Sequence, residues 1–150
     1  MSDDAEDRTT QIGLYNQACS YHLAARTLKN LRLRGTHPTA PVAFLYFHAI
    51  ELFLKSFLRL HGHSVEELRK RFSHGYGAMR KRASALGFDF MNEDLVVLRY
   101  MERADAVIRA RYLKTGLYEE PTPDALERTA KSLRETTRME LRSKGFPTRR

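Results

Sequence analysis

One apolar run, residues 42–60, constrains this chain more than any other feature. Its length approaches the roughly 20 residues that a membrane-spanning helix needs. It also carries His48, Glu51, Lys55 and Arg59 at successive intervals of three, four and four residues, which puts all four on one helical face. Three permanent charges held in lipid would be costly. The run is therefore expected to be a central helix, packed by protein on most sides and marked by one polar stripe, with no membrane partner.

The flanking sequence is expected to be helical as well, since no segment alternates in the way a half-buried strand requires. A first helix is expected from Thr9 or Thr10, with Asp7 near its positive end and Leu14, Ala18, Tyr21, Ala25 and Leu28 as its apolar stripe, ending before Gly35. Thr39 is expected to cap the apolar helix, with Pro41 in its first turn and His61-Gly62 as its stop. Ser64 and Glu67 have the spacing of a capping box. Inside a helix Gly75 and Gly77 would each cost about 1 kcal/mol, so the short helix after Ser64 is expected to break there, resume near Met79 and stop at Gly87. Asn92, Glu93 and Asp94 open a further helix, expected through residue 108. Gly116 and Pro121 then mark a connection. Thr122 caps the last helix with Pro123 at its first position. That helix is expected to run to about Ser143 over a stripe of Leu126, Ala130, Leu133, Thr137 and Leu141. The outcome is an all-α fold of four or five helices in one domain, residues 9–143, between an acidic flexible tail (1–8) and a basic flexible tail (144–150).

Composition fits a single packed domain: 150 residues, 42% hydrophobic and 29% charged. A lone cysteine, Cys19, excludes an internal disulfide and a cysteine-based zinc site, and suits a reducing cytoplasm. It is expected to pack in the core, as are Tyr15, Tyr21, Phe44, Tyr46, Phe47, Phe53 and Phe57, with a dimer interface as the other place for the aromatics. The acidic, polar start lacks the basic and apolar segments of a secretory signal. The net charge of +8 favours polyanionic partners. It concentrates in residues 59–82, where seven Lys/Arg face Glu66 and Glu67, and in residues 128–150, where eight face Glu135 and Glu140. No phosphate-binding glycine loop is present, and Gly75-x-Gly77 lacks the third glycine of a dinucleotide fingerprint. His61 and His63, even with Glu66, fall short of a complete zinc ligand set, so neither metal nor cofactor is expected.

Several segments, taken in order, resemble the HEPN domain family of nucleotide-binding helical domains. Ala49, Glu51, Leu54 and Lys55 match the family's A-x-E-x-x-L-K segment. His74 takes the histidine of its G-H-D-L helix start, although Gly75 replaces the acid and Tyr76 the leucine. Arg111 and Tyr112 match the Arg-Tyr element before the last helix. The resemblance spans roughly residues 10–143. It implies an up-and-down helical bundle, commonly a homodimer, with family roles that include metal-independent RNA cleavage, toxin–antitoxin systems and pairing with small nucleotidyltransferases.

Active members of that family carry Arg and His at R-x(4–6)-H spacing, so that histidine moves the proton of a ribose hydroxyl or leaving oxygen while arginine steadies phosphate charge. Arg69 and His74 match this spacing and form the candidate catalytic pair; Arg32 and His37 also match it. An arginine-rich composition alone accounts for pairs at this spacing, and no histidine follows His74. Arg71, Arg80, Lys81 and Arg82, together with Lys55 and Arg111, are the candidate phosphate or RNA contacts. His48, Glu51 and Tyr112 are the candidate structural polar network. The expected function is RNA or nucleotide binding as a homodimer without efficient catalysis. One alternative is a ribonuclease using Arg69 and His74. The other is an interaction module for a nucleotidyltransferase or a toxin or antitoxin partner.

Overall fold

The fold is all-helical, and the apolar run is its hub. A computed structural model describes residues 8–32, 34–72, 75–104 and 120–148, which contain six helices and no strand. These are α1 (Gln11–Lys29), α2 (Thr39–Leu60), α3 (Val65–Lys70), α4 (Tyr76–Ala85), α5 (Asn92–Ala104) and α6 (Pro123–Ser143). The count exceeds the four or five expected because the two parts of the interrupted helix expected between Ser64 and Gly87 are separate helices, α3 and α4.

Cap chemistry sets most of the starts. The Thr10 hydroxyl accepts the Gly13 N–H at 3.0 Å, and Thr122 accepts from Ala125 at 3.1 Å with Pro123 following in the first turn. Ser64 and Glu67 close the full capping box at the head of α3. Two expectations need correction. Thr39 is the first residue of α2 and not its cap. Pro38 takes that place with φ −69° and no side-chain cap bond, because the proline ring already holds a helical φ. Gly77 lies inside α4, which starts at Tyr76 and not near Met79. A Cβ at residue 77 would come within 3.1 Å of a Glu102 carboxylate oxygen, so the glycine accommodates a close neighbour rather than ending the helix.

α2 is long and apolar enough to cross a membrane, but two thirds of that apolar stretch, 67%, is buried within the fold. Tyr46, Ile50, Phe53, Leu54, Phe57 and Leu58 are fully enclosed. α1 lies antiparallel to it. Gln11 O accepts from Ser56 Oγ at 2.7 Å, the Tyr15 and Phe53 rings stand 5.8 Å apart, and His22 reaches the level of Tyr46. α6 runs parallel to α2, since Glu127 meets Tyr46 and Glu140 meets His61. Its expected stripe, from Leu126 to Leu141, is buried throughout. α5 joins α6 through Ser132, which donates to the buried Asp94 carboxylate at 2.6 Å. Beyond α6, Gly145 adopts φ +87° and Phe146 N–H returns to Leu141 O at 2.9 Å, which lays Phe146 against the core.

Candidate functional site

Much of the expected basic cluster is engaged within the fold. Arg80 Nε donates to Glu102 at 2.7 Å, and both side chains are largely covered. Arg82 Nε donates to His63 Nε2 at 3.0 Å. Arg59 holds Thr9 O and His63 O, tying the start of α1 to the end of α2. Arg71 is exposed and lies over the Phe72 ring, 5.1 Å from its centroid. Lys81 is exposed at the middle of α4, and Arg69 is exposed near the end of α3. His74, Arg111 and Tyr112 lie outside the described residues, so the Arg69–His74 pair and the network through Arg111 and Tyr112 have no described geometry.

The polar stripe of α2 closes on itself. Lys55 Nζ sits 2.9 Å from Glu51, and His48 Nδ1 sits 3.6 Å from the same carboxylate. Burial raises the pKa of Glu51, but the His48 and Lys55 contacts outweigh it and hold the carboxyl below its ordinary range. His61 Nε2 lies 3.0 Å from a Glu140 oxygen without a well-formed hydrogen bond, whereas His63 Nδ1 is hydrogen-bonded to Glu67 at 3.0 Å. The two histidines thus point to different partners. No group of three or more potential metal ligands occurs among the described residues.

Three arrangements take their form from the tertiary structure, and of the second the sequence shows only the concentration of charge in residues 128–150. The first is a buried cluster joining α1, α2 and α6. His22 Nε2 lies 3.1 and 2.9 Å from the two Glu127 oxygens, and Tyr46 donates to Glu127 Oε2 at 2.8 Å. A carboxylate accepts, so His22 carries its proton on Nε2, leaving a buried Nδ1 without a partner. Burial pushes the His22 pKa down against the opposing pull of Glu127. It likewise pushes the Tyr46 pKa up, and the bond to Glu127 adds to the rise. The 3.6-residue spacing of Ala18, His22 and Ala25 marks His22 as inward-facing, but its acid is 105 positions away.

The second is a stripe along the outward face of α6, formed by Asp124, Arg128, Lys131, Glu135, Arg138 and Arg142 at alternating intervals of four and three residues. Asp124 neutralises Lys29 at 2.7 Å and Glu135 pairs with Arg138 at 3.0 Å. Arg128, Lys131 and Arg142 are exposed, and none makes an ion pair among the described residues. They span about 21 Å of helix. The third is an open groove of about 790 Å³ between α1 and α6, lined in part by Tyr15, Cys19, Leu23, Arg26 and Arg134. Cys19, expected in the core, is half-buried and borders this groove while packing on the core behind it.

No protein-family model, curated protein or solved structure matches this chain.

Proposed function

We propose that this chain is a HEPN-like helical domain that binds RNA or a nucleotide as a homodimer and does not cleave it efficiently. The observation that carries the reading is the α6 stripe. Its acidic members are matched by Lys29 and Arg138, which leaves Arg128, Lys131 and Arg142 open to a phosphate backbone along one helical edge. Cations in this arrangement gain affinity by releasing counterions, without reading bases. Binding without efficient cleavage rests on the sequence, where an arginine-rich composition alone accounts for pairs at R-x(4–6)-H spacing and no histidine follows His74. The homodimer rests on the family resemblance.

A labelled structured RNA, incubated in EDTA while binding is followed against salt, tests the proposal. Salt-sensitive binding without product is expected. Neutralising the stripe with Arg128→Gln, Lys131→Gln and Arg142→Gln should reduce the slope of log affinity against log salt by about 2–3, since each phosphate contact contributes roughly 0.7 on a single strand and 0.9 on a duplex. An unchanged slope would remove α6 from the interface. Cleavage that survives EDTA and disappears in His74→Ala would replace the proposal with the ribonuclease. Absence of both binding and cleavage would favour an interaction module.

A further inference from the structure

The groove between α1 and α6 uses residues that the stripe does not. Tyr15 lines it while only 1% of the residue is exposed. Its hydroxyl lies beside the Arg134 guanidinium and the Cys19 thiol but closes no well-formed hydrogen bond with either. Arg134 Nε is buried in the same condition. Two donors covered from water without a well-formed bond, in side chains that line the groove, call for an acceptor, because each buried polar group left unbonded is a cost to the fold. The charge balance selects an anion. The two neighbouring carboxylates are occupied, Glu127 with His22 and Tyr46, and Glu135 with Arg138. Arg26 adds a second guanidinium two turns further along α1, about 10 Å from the level of Cys19. The exposed Leu23 side chain provides an apolar wall between these two levels.

We infer that this groove is a phosphomonoester site in which Arg134 and the Tyr15 hydroxyl hold the terminal phosphate, with Arg26 and Leu23 facing the organic part of the ligand. A planar guanidinium fork beside a hydroxyl donor matches the oxygens of a phosphate. The volume is in the range that takes a nucleotide-sized ligand. A phosphate of this kind comes either from a free nucleotide or from a phosphorylated RNA end. The inference stands apart from RNA binding along α6, because it needs none of Arg128, Lys131 or Arg142.

Cys19, the single cysteine of the chain, reports on the groove it borders. Burial raises its thiol pKa, so alkylation by iodoacetamide is slow and is followed at about pH 8.5. Inorganic phosphate and a nucleoside 5′-monophosphate should each slow alkylation beyond chloride at equal ionic strength. Half-protection should need about tenfold more ligand, or greater still, in Arg134→Gln. Arg134→Lys, which keeps charge and stem but not the fork, replaces Arg134→Gln if that variant fails to fold. Tyr15→Phe should weaken protection, read as the ratio of liganded to unliganded rate within that variant, because the hydroxyl also neighbours the thiol. A short RNA with a 5′-phosphate, compared with the same RNA bearing a 5′-hydroxyl, separates the sources. Protection by the phosphorylated form alone marks an RNA end, and protection by the mononucleotide alone marks a free nucleotide. Equal protection by chloride, by both RNAs alike, or in the Arg134 variants overturns the inference, whatever the stripe binds.

Discussion

At the scale of single residues, His22 shows how burial changes the chemistry of a common side chain. It is enclosed with Glu127 and Tyr46, and the groups facing it are Glu127 and Arg134 from α6, Tyr46 from α2 and Arg26 from its own helix. Its folded pKa is lowered, so below the ordinary histidine value near 6.5 the unfolded chain binds a proton that the folded chain refuses. Stability therefore rises with pH across that window and falls on acidification. Urea midpoints measured at about pH 7.5 and about pH 5.5 should differ, with the lower value in acid, and His22→Gln should shrink the difference. An equal drop in the variant would show that other groups carry the acid sensitivity. The inward position of His22 was legible from its spacing with Ala18 and Ala25. Its pairing was not, because a histidine on an apolar face gives no indication of which distant acid completes it.

Among the elements, α4 is the informative case. The doublet of glycines predicts a helix break, and the break does occur before Tyr76, where Gly75 caps the new helix. Gly77 instead occupies the first turns of that helix because Glu102 of α5 crosses close to its backbone on the way to Arg80. Gly77→Ala should therefore gain less than the roughly 1 kcal/mol that helix propensity alone offers, since the new methyl displaces the Glu102 carboxylate. In a Glu102→Ala background the same change should recover about the full amount. Denaturant unfolding of the four proteins in this cycle provides the check, and identical gains in both backgrounds would refute the account. By contrast, the starts of α1, α3 and α6 were legible from Thr10, Ser64 and Thr122. A cap satisfies backbone donors within three residues of itself, so its cause and effect lie in one short segment.

For the whole molecule, α2 provides the surface on which the other elements assemble. Phe53 is fully buried and touches Tyr15 and His22 of α1. Phe53→Ala should cost about 3–5 kcal/mol through lost transfer energy and the cavity left behind. Because α1 and α6 both pack on α2, hydrogen exchange in the two helices should accelerate together. Acceleration confined to α1 would show that the bundle opens in parts. The stripe on α6 belongs to this scale too, since its net charge depends on Lys29 of α1 covering Asp124.

The sequence by itself determined the all-helical class, the central place of the apolar run, the main caps and the inward faces of α1, α2 and α6. Each follows from periodicity or hydrogen bonding over a few neighbouring residues. Tertiary structure decided which charges remain open. The cluster of residues 59–82 looks strongly basic in sequence, yet Arg80 and Arg82 are bound to Glu102 and His63, while Arg26 and Arg134 come together at a groove from opposite ends of the chain. Charges act through space over distances set by helix packing, so a count along the chain cannot separate a phosphate-binding arginine from one already satisfied.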